Sequence, residues 1–135
     1  MIVDTSAVMA VLEREPEGDA VAEALAVSPA TRISAVTLVE LTAVVQRYGR
    51  VEVHRKVDRL LQTWGVETVP FDSEQSRIAR QAYRDYGRGS GHPAQLNLGD
   101  CFSYALATVT GDPLLYVGQD FAATDIPPAL PKAPG

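Results

Sequence analysis

A chain of 135 residues with 46% apolar side chains has room for one domain around one core, and 21% charged residues do not favour disorder. No apolar run reaches the ~18 residues of a membrane span, the N-terminus lacks the basic start of a secretory signal, and the single cysteine, Cys101, excludes an internal disulfide, so a cytoplasmic protein with no membrane role is expected. The net charge of −5 conceals an asymmetry: nine Lys or Arg stand against six Asp or Glu between Arg47 and Arg88, and three against eleven elsewhere. A basic middle facing an acidic remainder suits a polyanion held near carboxylates; equally, Arg77, Arg80, Arg84 and Arg88 can line the solvated face of a helix.

Met1–Asp4 reads as a short buried strand and Thr5–Arg14 as a helix stopped before Pro16. Glu17–Val27 is a second helix, Arg32–Ser34 a strand, and Ala35–Tyr48 a long apolar helix with Ser34 as N-cap and Gly49 as C-cap. Val51–Trp64 is amphipathic, with Val53, Val57, Leu60, Leu61 and Trp64 on one face. Val66–Phe71 follows as a strand, then Ser73–Tyr86 as a helix with Ile78, Ala82 and Tyr86 inward. Gly87–Leu98 is a loop, Gly99–Thr110 a helix, Leu114–Val117 a strand, Asp120–Ala123 one helical turn and Asp125–Ile126 a short extended piece. Residues 127–135, PPALPKAPG, read as a Pro-rich tail outside a domain of residues 1–126. Short strands alternating with helices imply an α/β domain whose short central parallel sheet is flanked by helices. Such sheets bind ligands at the carboxyl ends of their strands.

Four acids gather at that edge by this reading. Asp4 closes the first strand, and Asp120 follows the strand LLYV after Gly118 and Gln119. Asp100 opens the helix GDCFSYALATVT. Glu40 is the only charge in ISAVTLVELTAVVQ, a stretch apolar enough to be buried on nearly every side, where a lone glutamate is unfavourable unless paired or bound to a cation. Each acid has a structural alternative. Asp4 and Asp120 suit helix N-caps, Asp100 suits a capping box with Asn97, and Glu40 suits an ion pair with Arg47 or another arginine. Taken together they make a cluster of oxygen ligands whose mutual repulsion a hard divalent cation relieves, with hydrolysis of a phosphodiester as the chemistry implied.

Other constellations are weaker. A phospho-accepting receiver domain needs a mid-chain strand-end Asp and a late Lys, but helix is expected at 51–64 and the only late Lys is Lys132. An aspartyl phosphatase usually carries a second acid where this chain has Ser6. Cys101 with His92 is a conceivable nucleophile–base pair, although a lone Cys on a helix is more often a small core residue. The glycines at 87, 89 and 91 follow a helix, not a strand, and so make a poor phosphate loop.

The segments MIVDTSAVMAVL, SAVTLVELTAVV, LNLGDCFSYALA and LLYVGQDFAATDI resemble the VapC-type PIN-domain toxins of VapBC toxin–antitoxin systems, from Met1 to about Ile126. The resemblance implies a PIN-like fold and a Mg²⁺- or Mn²⁺-dependent endoribonuclease. In it Asp4, Glu40, Asp100 and Asp120 are the catalytic and metal-binding acids, supported by Thr5 or Ser6, with Asp125 near the pocket. It also implies a VapB-type antitoxin as partner, RNA as substrate and pairing of the chain with itself. One departure is visible: Val117 stands where many relatives carry a lysine, and Gln119 where a short polar or acidic residue is common. The rival reading is a binding module that has lost cleavage and sequesters RNA or a partner protein.

Overall fold

Residues 1–131 are described, in a computed structural model. In chain order the elements are β1 (Ile2–Val3), α1 (Thr5–Leu12), α2 (Gly18–Val27), β2 (Arg32–Ser34), α3 (Ala35–Gln46), α4 (Val51–Thr63), β3 (Glu67–Val69), α5 (Ser73–Tyr86), α6 (Leu98–Thr110) and β4 (Leu114–Leu115). The strands form one parallel sheet in the order β3-β2-β1-β4. The chain builds outward from β1 through β2 to β3, then returns to the far side of β1 as β4. The order therefore reverses between β1 and β4, and ligands in open parallel sheets bind at such a reversal, beyond the carboxyl ends of the strands.

Alternate side chains along a strand point to opposite faces, so each two-residue strand serves two cores. Ile2 and Leu114 face a cluster with Leu96, Tyr104, Leu106 and Phe121. Val3 and Leu115 face another with Val8, Val21, Leu25, Ile33 and Leu41. Helices α5 and α6 cover the first face; α1 to α4 contribute to the second. The expected inward sides of α4 and α5 are found: Val57 and Ala82 are buried, and Arg77, Arg80 and Arg84 are exposed.

Several expectations are corrected. The apolar helix α3 is not enclosed, because only Thr37, Leu41 and Val45 are buried and Val39 is 68% exposed. Ser34 occupies the N-cap position of α3, yet its hydroxyl makes no cap bond and is buried without a partner. Helix α6 begins at Leu98, drawn forward by an Asn97–Asp100 capping box. Residues 120–123 form consecutive turns, Ala122 N to Gln119 O and Thr124 N to Phe121 O, not a helical turn. Asp125 lies in a bend. Beyond Ile126 the chain runs beside β4: Leu114 N donates to Pro127 O at 2.9 Å and Ala129 N to Leu114 O at 2.8 Å. Ala129 and Leu130 pack against the second core. Residues 132–135, including Lys132, lie outside the described part of the chain.

Candidate active site: four carboxylates at the carboxyl edge of the sheet

Asp4 leaves β1 at the centre of the edge and is 2% exposed. Its Oδ2 accepts from Ser6 N at 3.0 Å, which caps α1, and from Ser6 Oγ at 2.7 Å. Its Oδ1 accepts from Ser103 Oγ at 2.6 Å. Ser6 Oγ in turn accepts from Val117 N at 3.1 Å, which ties the exit of β1 to the exit of β4. Val117 thus enters the site through its backbone; Gly118 then turns the chain at φ +102°, a region that side chains disfavour, and leads to the exposed Asp120.

Glu40 projects from α3 and is half-buried. Its Oε1 accepts from Thr5 Oγ1 at 2.6 Å. No arginine pairs with it: among the described residues ion pairs form only at Asp112, with Arg32 and the N-terminal amine. The other oxygen, Oε2, lies against the Cα of Gly99, where any Cβ would overlap it. Glycine at 99 is what lets the glutamate reach the mouth of α6.

Asp100 is the third residue of α6. Its Oδ2 accepts from Asn97 N at 3.0 Å, and its own amide donates to Asn97 Oδ1 at 2.9 Å. Burial is the main influence on its carboxyl group. Together with the charges of Asp4, Asp120 and Glu40, which outweigh the Asn97 bond, it pushes the pKa up to about 8. Burial also raises Asp4, against the hydroxyl donors that lower it, and raises Glu40, helped by the charge of Asp4 and opposed by Thr5. Acids from four separate elements therefore lie within Coulombic reach, with no cation among them in the described residues.

The donor set is all oxygen and anionic, as a hard divalent ion requires. Among the described residues no three acid, histidine or cysteine side chains are closed into a cage.

Sequence reasoning singled out the four acids that the structure brings within Coulombic reach of one another but missed Ser103 and Thr37, whose hydroxyls lie 3.4 Å apart behind Asp4. Both are completely buried, and a signal was available. Ser103 follows Asp100 by three residues and Thr37 precedes Glu40 by three, so each shares a helix face with its acid. Of the two hydroxyls after Asp4, Thr5 bonds to Glu40 and Ser6 to Asp4. Asp125 instead accepts from Tyr104 Oη at 2.7 Å; burial, chiefly, and that carboxylate push the Tyr104 phenol up. Cys101 is fully buried, and burial, with the charge of Asp100, raises its thiol to about 12, which leaves no ready thiolate. His92 Nδ1 is engaged by Ala94 N at 3.0 Å.

A parallel α/β sheet with clustered acids at its reversal point defines a class, and comparison with known proteins names it. The PIN domain family matches residues 1–127. Ribonuclease VapC42 of Mycobacterium tuberculosis is 57% identical over 129 residues, covering 96% of this chain and 98% of the relative. Ribonuclease VapC28 of the same species is 44% identical over 132 residues, 98% of this chain and 99% of that one. The crystal structure of M. tuberculosis VapC20, a sarcin-ricin loop cleaving toxin, superposes with a TM-score of 0.72 at 18% identity, covering 96% and 98% of the two chains. A chain of a Klebsiella pneumoniae toxin–antitoxin complex gives 0.63 at 18% identity, covering 90% and 89%. The chain belongs to the PIN-domain family and, within it, to the VapC type.

Proposed function

We propose that the chain is a Mg²⁺- or Mn²⁺-dependent endoribonuclease, the toxin half of a toxin–antitoxin pair, and that Asp4, Glu40, Asp100 and Asp120 are its catalytic and metal-binding residues. The observation that carries this reading is the convergence of four carboxylates, three of them with raised pKa values, at the β1/β4 reversal without a neutralising cation. Acids perturbed by burial and by one another's charge, with no cation beside them, are candidates for a functional site. Their relatives carry ribonuclease names, which supports RNA as the substrate.

Asp4 and Asp100, with Glu40 and Asp120 around them, would hold the ion. When bound, such an ion polarises a phosphoryl oxygen and makes a water molecule acidic enough to attack at neutral pH. The protein's part is positional. Ser103 and Ser6 grip both oxygens of Asp4, Asn97 fixes one oxygen of Asp100, and Thr5 holds Glu40. Glu40 and Asp120, the less buried pair, would accept a proton from the attacking water and orient it.

An antitoxin of the VapB type would supply the missing positive charge, and an arginine is the natural group, since its planar fork pairs with carboxylates bidentately. A two-fold dimer is also part of this reading; Val39, Tyr48 and Val51, 68, 47 and 62% exposed on α3, its C-terminal turn and the start of α4, offer apolar surface for it. The chain acts in the cytoplasm, where Cys101 stays reduced; no helix of the described residues is long and apolar enough to cross a membrane.

The test is cleavage of RNA in Mg²⁺ or Mn²⁺ by the parent and by Asp4→Asn, Glu40→Gln, Asp100→Asn and Asp120→Asn. Each amide should lower the rate by at least ~10²-fold. Near-parental rates in two of the four sink the assignment.

A further inference from the structure

Helix α6 carries Tyr104 four residues after Asp100, so the two side chains share one face of the helix, a single turn apart. The run after β4 meets both positions. Asp120 lies within Coulombic reach of Asp100, and Asp125 Oδ1 accepts from Tyr104 Oη at 2.7 Å. Among the described residues this is the only hydrogen bond between residues 118–126 and α6. Both of its ends are held by their surroundings. Tyr104 is buried, and its ring packs on Tyr86 at 5.8 Å between centroids; Tyr86 in turn meets His92 at 4.8 Å. Asp125 follows a turn in which Thr124 N and Thr124 Oγ1 both donate to the carbonyl of Phe121, a residue buried in the core. Asp120 has no such hold. It is exposed, it comes two residues after Gly118 at φ +102°, and no cation pairs with it among the described residues.

We infer that Tyr104 and Asp125 are positioning residues, a clasp between α6 and the following loop that holds Asp120 against Asp100. This rests on the reading of the four acids as a metal site and adds the device that keeps them assembled. Asp100 and Asp120 repel each other, and an exposed loop is the part free to yield. Phe121 anchors the loop in the core, but Asp120 precedes that anchor and faces solvent. The clasp supplies a second fixed point on the helix that carries Asp100, one turn from where the charges meet. Its chemistry suits the place. A carboxylate that accepts from a hydroxyl makes a short, charge-assisted bond. The phenol is also a neutral donor, so it holds the loop without bringing a cation to the edge. A lysine or arginine in its place would hold Asp125 as well, but it would compete with a metal ion for the acids. In this assignment Asp125 serves the loop and Asp120 serves the ion.

The experiment is a titration of the full chain with Mn²⁺ alone, followed by electron paramagnetic resonance of the free ion, so that affinity is read without RNA or cleavage. Tyr104→Phe removes only the donor and should raise the Kd for Mn²⁺ by ~3- to 10-fold, the range for one hydrogen bond, and by no more than Asp120→Asn does. Asp125→Ala should do the same. Asp125→Asn loses the same charge but keeps an oxygen that accepts from the phenol, so it should bind Mn²⁺ more tightly than Asp125→Ala. In the Asp120→Asn background Tyr104→Phe should have no further effect, because its route to the ion is gone. Thermal melts check that each variant is folded; should Tyr104→Phe fail, Asp125→Ala at the exposed end carries the same comparison in both backgrounds. Parental affinity in Tyr104→Phe overturns the clasp. So do Tyr104→Phe and Asp120→Asn effects that simply add, since the phenol then supports the fold and not Asp120. Asp125→Asn as weak as Asp120→Asn overturns it too, and makes Asp125 a ligand. A parent that takes up Mn²⁺ with the expected coupling yet cleaves no RNA overturns the nuclease reading and leaves the clasp standing; a parent with no affinity for Mn²⁺ overturns both.

Discussion

The two ends of the same small sheet treat acids in opposite ways. At the amino edge Asp112 sits between Arg32, whose Nη2 lies 2.6 Å from its Oδ2, and the N-terminal amine at 3.6 Å. The Arg32 bond chiefly, with the charges of the amine and the guanidinium, holds that carboxyl below its ordinary value. At the carboxyl edge Asp100 is buried among Asp4, Asp120 and Glu40 and is pushed up to about 8. One end is neutralised within the chain; the other has no cation paired with its acids among the described residues. Both ends satisfy their carboxylates with internal hydrogen-bond donors, so what separates them is charge: Asp112 has cationic partners and Asp100 has acidic neighbours.

The largest expected effect tests the unbalanced end. In chelator the folded pKa of Asp100 stands above its unfolded value of 3.8. The folded state therefore binds its proton more tightly, and the stability this gives is present below pH ~4 and is lost as pH rises through about 8. Two charges ~4 Å apart repel by ~4 kcal/mol at an effective dielectric of 20, and water entry leaves a net cost of about 1–2 kcal/mol. The melting midpoint of the parent in chelator should fall steadily from pH 5 to pH 8. Asp100→Asn should flatten that fall and match or exceed the parent at pH 8, while cleaving at least ~10²-fold more slowly. Millimolar Mg²⁺ or Mn²⁺ should raise the parent's midpoint more than the variant's. Equal midpoints for the parent with chelator and with metal, and an Asn variant lowered alike in both, would make Asp100 a helix cap and nothing more.

The next effect is purely geometric. Alanine at Gly99 puts a methyl group where Glu40 Oε2 rests, and the end of a flexible side chain moves aside easily. Gly99→Ala should leave the melting midpoint unchanged or slightly higher, since alanine favours a helix over glycine. Cleavage should drop ~10- to 10²-fold, the scale for a catalytic group displaced by about an ångström. A variant that cleaves at the parental rate would show that Glu40 does not act from its observed position.

Ser103 should matter less for rate and more for pH. Its hydroxyl lowers the Asp4 pKa against the burial that raises it. Ser103→Ala removes a bond to a buried carboxylate and should lower stability near neutral pH by ~1–3 kcal/mol. With the donor gone Asp4 binds its proton more tightly, so the acidic limb of the kcat/KM profile should move to higher pH. A profile that falls uniformly without moving would reduce Ser103 to packing.

Much of this frame was legible in the sequence. The period-2 strands, the 3.6-period helices and their stop signals placed all ten elements, because local apolar patterning and Pro or Gly boundaries decide them. What escaped were features fixed by tertiary contact. Residues 127–129 look like tail by composition, yet two backbone bonds hold them to Leu114. Helix α3 reads as enclosed, but Val39 faces outward because nothing in the described residues covers that side. For Asp4 and Asp100 the capping reading is found in the structure, and it does not exclude a functional role. Asp4 caps α1 and Asp100 completes a capping box, and a carboxylate with about four acceptor positions has capacity left for a further partner. Capping therefore never was evidence against a site. The hydroxyls behind Asp4 were hidden for another reason: a lone Ser or Thr inside an apolar helix has no charge to betray it.

The smallest expected effect tests the balanced end and, through it, the independence of the two. Arg32 and Asp112 are each about one-third exposed, so their pair is screened and contributes about 0.2–1 kcal/mol. The lowered pKa of Asp112 makes that contribution present above pH ~4 and lost as pH falls through the folded value. Asp112→Asn should thus lower the midpoint slightly at pH 7, have no effect near pH 2–3, and leave cleavage unchanged. From Met1 to Asp4 the extended chain spans about 10 Å, roughly one Debye length at 0.1 M salt. In such salt the Asp112→Asn and Asp100→Asn effects should add within ~0.3–0.5 kcal/mol. At 0.01 M salt, where screening reaches only at ~30 Å, a small coupling should emerge with a definite sign. Removing Asp112 leaves Arg32 and the amine as unopposed positive charge, which favours ionised acids at the far edge. The pH-dependent fall of the chelated parent should therefore be gentler in Asp112→Asn at low salt and identical to the parent's at 0.1 M. A gentler fall that persists in high salt would mean that the two edges communicate through the strands themselves, and that the balanced end also serves the site.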